Sequence, residues 1–289
     1  MSVLQPIETK KGKGKLLYRA IITILIAGIP LQVFPYIWMF SNSFKNNTEI
    51  IRIPPTFIPL EWKFDGFVQA FVTYRLWENI FNTAILCISV IVIQVAVSSL
   101  AAFSLSKLRP RFGRGILMFF ICTMMISTQA LIFPLYLMMA NFPILNINLI
   151  NNFWAYILPS SAWAYVIFLF KGFFDGLPGE LIEAARIDGA SNLRIFGQLV
   201  VPLSKPVFSV VIINTFIAVY NDFMMPLLML PNESKWTMVV RIYAAQSSAM
   251  ASPNSIFVML TVATIPVIVV YLFAQKTIVQ GIVMTGLKG

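Results

Sequence analysis

An all-α integral membrane protein with six transmembrane helices is the fold class this sequence predicts, and three observations carry it. Of 289 residues, 58% are hydrophobic and only 11% charged, against about a quarter charged in an ordinary soluble domain. Mean hydropathy is +0.82. The apolar residues fall into six long runs, each long enough to cross about 30 Å of hydrocarbon as a helix. These expected spans are residues 20–40, 80–105, 116–139, 153–170, 207–230 and 256–274.

The first span follows a basic tail, residues 1–19, in which Lys10, Lys11, Lys13, Lys15 and Arg19 face a single acid, Glu8. A charged start before an apolar run resembles a signal peptide, but 21 apolar residues exceed a signal core and no small-x-small cleavage site follows. The segment is therefore read as an uncleaved span. Ser41 to Asn79 comes next, with four acids balancing four bases, and is expected to form a small cap at the membrane surface. Spans two and three are joined by the basic turn Lys107 to Arg114.

Between spans four and five lies a polar interruption, Lys171 to Pro206, with four acids and four bases. Pro178 suits a first helical turn, Glu180 and Glu183 lie near that positive helix end, and Gly189 after Asp188 is a left-handed stop. The pattern predicts a helix of about three turns, Pro178 to Asp188. Ser191 is positioned to cap a second short helix that Pro202 ends, and Pro206 to open span five. The small Ala184 and Ala185 allow another protein's surface to come close, while Glu183 and Arg186 either pair locally or reach a partner.

Prolines at 30, 35, 134, 226 and 266 lie inside spans, where neighbouring helices or a cavity must satisfy the freed carbonyls. The last external loop, Pro231 to Ser255, reads as a generic connector. Residues 275–289 form a C-terminal tail, and the chain from 20 to 274 reads as one membrane domain. Six spans place both ends on one side. Fifteen Lys and Arg lie on the side of the termini and six on the other, so the positive-inside bias puts both termini and the 171–206 loop in the cytoplasm.

Polar groups inside spans are costly and therefore informative. They include Gln94, Ser98, Thr128, Gln129 and Asn214, then Tyr220, Asn221 and Asp222 ahead of Pro226. Packing between helices accounts for Gln94, Ser98 and Thr128. An aromatic ring beside an amide and an acid suits a sugar, because ring faces stack on C–H surfaces and amides satisfy hydroxyls. Tyr220, Asn221 and Asp222 are thus candidate pathway residues, with Asn214 and Gln129 behind them.

Several functions are excluded by composition. Histidine is absent and the only cysteines, Cys87 and Cys122, fall in apolar runs, so no metal site or disulfide framework is expected. GKGKLL near the start lacks the spacing of a nucleotide-binding loop. The net charge of +10 is distributed by membrane side rather than in an aromatic-laced patch, so no nucleic-acid partner is expected. An ion-coupled carrier usually needs several buried ionisable groups, and the spans offer Asp222 alone.

One family fits these residues. Glu183, Ala184, Ala185, then Gly189, then Leu199-Val200-Val201-Pro202 resemble the EAA signature of ABC-importer membrane subunits, with Leu-Val-Val-Pro where that family usually has I-x-L-P. The wording EAARIDGAS followed by PLSKP is similar to the carbohydrate-uptake, maltose-type branch. FIAVYNDFMMPLL looks like that branch's fifth span, with Tyr220 in place of a tryptophan. QKTIVQGIVMTGLKG resembles a tail that extends between two ATPase subunits, matching at Gly281, Gly286, Lys288 and Gly289.

The resemblance implies a type I ABC importer permease fold, in which Glu183, Ala184, Ala185, Arg186, Asp188 and Gly189 form the coupling helix that seats on the ATPase. Gly286, Lys288 and Gly289 would touch the same partner. It implies a second homologous permease, an ATPase dimer, an extracellular or periplasmic solute-binding protein and a carbohydrate substrate. ATP and magnesium would sit in the ATPase subunits, with no cofactor on this chain, in a prokaryotic cytoplasmic membrane. A stand-alone ion-coupled transporter and an ABC permease for a non-sugar solute remain the alternatives.

Overall fold

The computed structural model describes residues 12–143, 146–248 and 251–286, with side chains from 14 to 275 inside those ranges. Residues 1–11 of the basic tail, and Lys288 and Gly289 of the expected tail contact, lie outside the described residues; Gly286 is the last residue of a helix. Fifteen α-helices run in order through the described residues. They are α1 Gly12–Asn42, α2 Asn47–Ile50, α3 Asp65–Val68, α4 Leu76–Phe103, α5 Gly113–Thr123, α6 Thr128–Ala140, α7 Phe153–Ser160 and α8 Ala164–Asp175. Then follow α9 Gly179–Ile187, α10 Asn192–Ile195, α11 Val201–Leu203, α12 Lys205–Tyr220, α13 Met224–Met229, α14 Met238–Ser247 and α15 Pro253–Gly286.

Three stretches are continuous, apolar and long enough to span a bilayer: Gly14–Asn42, Leu76–Leu108 and Pro253–Gln275. The other expected spans are not straight helices. α5 and α6 meet at 103°, α7 and α8 at 42°, and the Asn192–Leu203 segment meets α12 at 82°. Six spans result only when each bent pair counts as one. The α5–α6 and α7–α8 breaks fall inside runs 116–139 and 153–170, and run 207–230 is shared between α12 and α13, which Asn221 to Phe223 separate.

Each break has a local cause. Between α5 and α6 the backbone turns at Met124 to Ser127, before the polar start Thr128-Gln129, while Pro134 stays inside α6. Pro159 in the last turn of α7 cannot donate to the preceding turn. After α12, the Asn221 side chain donates to the Ile217 carbonyl at 2.8 Å, and Pro226 has no N–H for the carbonyl of Asp222. The helix therefore stops at Tyr220, and α13 starts anew.

The chain divides into two compact units, one holding the chain up to Leu76 with Ala244–Pro266, the other Trp77–Tyr243 with the chain from Val267. In the first, Lys45 is only 1% exposed. Its Nζ donates to Asn42 Oδ1 at 2.9 Å and to the Thr56 carbonyl at 2.5 Å, and lies 4.6 Å from the centre of the Trp38 ring. Burial lowers its pKa, against the opposing charge of Glu49. Glu49 is itself buried and accepts from Thr56 Oγ1 and the Leu60 N–H. Asn254 closes this unit, its Nδ2 donating to the carbonyls of Asn42, Ser43 and Lys45 at 3.2, 3.0 and 2.7 Å.

In the second unit, one core cluster joins Leu86 and Val90 of α4 to Met139, Tyr156, Val219, Tyr220, Met225 and Met229. Another joins Phe103 to Phe170, Phe174, Ile182, Ile195 and Val211 around the base of α9. Between them Gln94 of α4 accepts from Thr215 Oγ1 at 2.5 Å and donates to the Ser160 carbonyl at 3.1 Å. That carbonyl sits at the α7 break, so Gln94 satisfies a group the bend frees. Thr215→Val should cost roughly 1 kcal/mol, as buried hydrogen bonds in membrane bundles do. Thermal unfolding in detergent reads it, and an unchanged midpoint would remove Gln94 from the bundle's support.

The first part of the loop read as a connector, Pro231 to Tyr243, is built into this unit. Asn79 Nδ2 donates to the Trp236 carbonyl at 2.9 Å, and Asn82 Nδ2 to that of Ser234 at 2.8 Å. Arg241 donates to Asn79 Oδ1, pairs with Glu233 at 3.3 Å and lies over the Trp236 ring. The connector is thus a buried, hydrogen-bonded junction with the start of α4.

Candidate functional site

The candidate coupling element is α9 and the turn that ends it. Pro178 has φ −56° and ψ 125°, outside the helix, so it is the cap residue and Gly179 the first helical one, one position later than the sequence pattern predicts. Glu180 lies in the first turn and Arg186 in the last, each matching the sign of its helix end. At the other end, Gly189 has φ +78°. Its N–H reaches the Arg186 carbonyl and the Ala190 N–H reaches the Ala185 carbonyl, both at 3.0 Å.

That pair of bonds is a Schellman closure, which needs a left-handed residue where Gly189 stands. The spacing from Ala185 to Gly189 is therefore a physical unit, one residue supplying the carbonyl and the other the reversal. Ala185 and Ala190 both pack on the cluster containing Phe174 and Ile195. Of the two signature alanines only Ala184 is exposed.

Two faces result. Ile182, 4% exposed, holds α9 to the protein. Glu183, Ala184, Arg186, Asp188 and Gly189 are exposed, beside Leu181, Leu193 and Ile187, the last 86% exposed. Glu183 and Arg186 form no ion pair with each other. Both charges and a large aliphatic side chain thus point away from the chain that carries them.

The second short helix begins as expected, Ser191 Oγ accepting from the Arg194 N–H at 3.3 Å. Its end differs. A π-helical turn Phe196–Val200 carries α10 into α11, Pro202 lies inside the latter, and Ser204 makes the break. Pro202 is tolerated because it follows the π-helical turn, where the regular i→i−4 bonding is already interrupted. Pro206 sits in the first turn of α12 as the pattern predicts.

The five candidate pathway residues occupy different settings. Gln129, Asn214 and Asn221 are exposed, with Gln129 accepting from Ser127 Oγ at 2.6 Å. Asp222 is half-buried, accepting from Tyr156 Oη at 3.0 Å and from the Met225 N–H at 3.4 Å, which places it at the start of α13. Tyr220 is buried and stacks on Phe216 with ring centres 5.3 Å apart. Its ring face is occupied from within the chain.

Residues 94–284 match the family described as "binding-protein-dependent transport system inner membrane component". The chain belongs to that family. Among relatives, it is 27% identical to the diacetylchitobiose uptake system permease protein NgcG of Streptomyces coelicolor, over 88% of this chain and 84% of that one. It is 32% identical to the maltodextrin transport system permease protein MdxG of Bacillus subtilis, over 79% and 81% respectively. In fold it is similar, with a TM-score of 0.82 and 20% identity, to a chain in the crystal structure of a bacterial ABC transporter involved in the import of the acidic polysaccharide alginate. That likeness covers 92% of this chain and 98% of the other.

Membership makes this a membrane permease component of a binding-protein-dependent system. Sequence reasoning reached α9 from its own residues, but missed the side chains at its base. Ser106 donates its Oγ to Asp175 Oδ1, Lys171 donates to Asp175 Oδ2, and Lys107 donates to the Leu177 carbonyl. Burial pushes the Asp175 carboxyl up, but the hydrogen bonds from Lys171 and Ser106 and the charges of Lys171 and Lys107 outweigh it, holding the carboxyl below its ordinary range. A depressed carboxylate contributes stability that is present above its unfolded value and is lost only as pH falls through the lower folded value. No spacing rule marks Ser106 for Asp175. The one available signal was the Lys171–Asp175 pair at i,i+4.

Proposed function

We propose that this permease is one of two membrane-spanning subunits of an ATP-driven carbohydrate importer, and that α9 with its closing turn is the surface an ATPase subunit pushes. The observation that carries this reading is the outward face of α9, where Glu183 and Arg186 remain unpaired beside exposed Ile187 while Ile182 anchors the helix. A helix that merely bridged two spans would gain from pairing those charges locally. The diacetylchitobiose and maltodextrin in the names of these two relatives support a carbohydrate as the cargo, and the sn-glycerol-3-phosphate of others keeps a non-sugar solute as the alternative.

In this reading both termini and α9 face the cytoplasm, as the charge bias requires. The chain has no ATPase site of its own; ATP and magnesium act in the partner ATPase subunits. A second permease completes the pathway and a solute-binding protein delivers cargo outside. Asn221, Asn214 and Gln129 offer exposed amides to the pathway, and Asp222 acts from the α12–α13 turn.

Reconstitution tests this directly. With its ATPase, second permease and binding protein in liposomes, the assembly should accumulate sugar only when ATP is supplied. Accumulation by the purified chain alone under an ion gradient would establish the secondary-transporter reading instead. Asp222→Asn should change uptake several-fold without altering assembly, since asparagine can still accept from Tyr156 but carries no charge. An unchanged rate and substrate profile would leave Asp222 a cap for α13 only.

A further inference from the structure

The cytoplasmic end of α4, in the orientation proposed above, is fastened to the base of α9 by residues outside the signature. α4 runs directly into a π-helical turn, Ser104–Leu108, which Arg109 ends in a left-handed conformation at φ 49°. Such a turn adds a residue within a helix and redirects the side chains after it. Here it turns Ser106 and Lys107 toward the end of α8. Ser106, 3% exposed, donates to Asp175 Oδ1 at 2.6 Å. Lys171 holds the other carboxylate oxygen at 2.6 Å. Lys107 donates to the Leu177 carbonyl at 2.9 Å, one residue before the Pro178 cap.

A half-exposed Lys171–Asp175 pair alone would contribute little. The buried hydroxyl and the bond to backbone change that, because both make the position of α9 depend on α4. Above this tie, α4 carries Gln94, which holds Thr215 of α12 and the Ser160 carbonyl at the α7 break. One unbroken helix therefore contacts the base of α9 and both bent spans beside it.

We propose that Ser106, Lys107 and Asp175 are positioning residues that lock the coupling helix to α4, so that a displacement of α9 is delivered to the spans through α4. This rests on the coupling reading. The alternative is that they only fill the cytoplasmic surface, with α9 acting on α12 through the α10–α11 segment alone.

The test uses the complete transporter in liposomes, comparing solute moved per ATP hydrolysed, with nitroxide labels at the exposed Arg111 and Glu180 reporting the distance across the tie. Ser106→Ala and Asp175→Ala should lower solute moved per ATP at least about fivefold, the lower end of ordinary coupling. They should also broaden the label distance, and Ser106→Thr, which keeps the hydroxyl, should restore both. If Asp175→Ala does not accumulate, Lys107→Met removes the bond to Leu177 and the Lys107 charge near Asp175, leaves the Ser106–Asp175 bond in place, and carries the same expectation. Wild-type stoichiometry and a narrow distance in these variants, with Gly189→Leu still uncoupled, would overturn the tie and leave the coupling reading standing. Intact transport in Gly189→Leu as well would overturn both.

Discussion

Gly189→Leu is expected to abolish most transport while the subunit still inserts and assembles. Gly189 stands at φ +78°, and an added Cβ would meet nothing within 4 Å, so the obstacle is backbone conformation rather than space. A branched side chain held in the left-handed region costs about 1–2 kcal/mol. The chain escapes that cost by opening the Schellman closure, which releases the Arg186 and Ala185 carbonyls and frays the turn behind Ile187. Uptake should fall at least about tenfold, the change that 1.4 kcal/mol at a coupling contact brings. Gly189→Asn is the control, since asparagine tolerates this conformation far better. Uptake measured in membranes holding equal amounts of each variant decides it, and wild-type uptake by the leucine variant would remove α9 from the mechanism.

The second large effect falls in the other unit and concerns stability. A Cβ on Gly66 would lie 1.5 Å from Asn254 Oδ1 and 2.5 Å from its Cγ, too close for any rotamer adjustment of so short a side chain. Gly66→Ala must therefore expel the carboxamide that holds the carbonyls of Asn42, Ser43 and Lys45. Losing the bonds that its two amide hydrogens share among those buried carbonyls costs about 2 kcal/mol or more. Asn254→Ala should be similarly harmful, and the double variant no worse than either single one, because both remove the same interaction. Unfolding midpoints in detergent read the cycle. Strict additivity would mean that the two residues do not share a site.

Much of this architecture was readable from the chain because hydrophobicity and capping are local. The apolar runs located the three continuous helices long enough to span a bilayer, Gly189 announced its left-handed stop, and Ser191 and Pro206 sit at the helix starts their chemistry favours. Direction was not readable. Hydropathy averages composition over a window and is blind to a turn at Met124 to Ser127 or at Asn221-Asp222, where a few backbone angles reorient an apolar run without changing its polarity. Lys45 was equally opaque: it looks like one more charge in a balanced surface loop, yet it is enclosed by Trp38, Asn42 and Thr56. Tyr220 reads as an aromatic available to a ligand, whereas its face is taken by Phe216. The bends depend on backbone angles and the enclosure of Lys45 on Thr56, which no sequence period records, whereas the Phe216–Tyr220 pair lies one helical turn apart, at a spacing the sequence does carry.

The corner at Ser204 has a mechanical consequence. Two rigid rods joined at 82° behave as a bell crank: sliding the short arm along its own length carries the long arm almost wholly sideways. In the orientation proposed above, a thrust along the short arm would thus tilt α12 at its foot rather than drive it up or down.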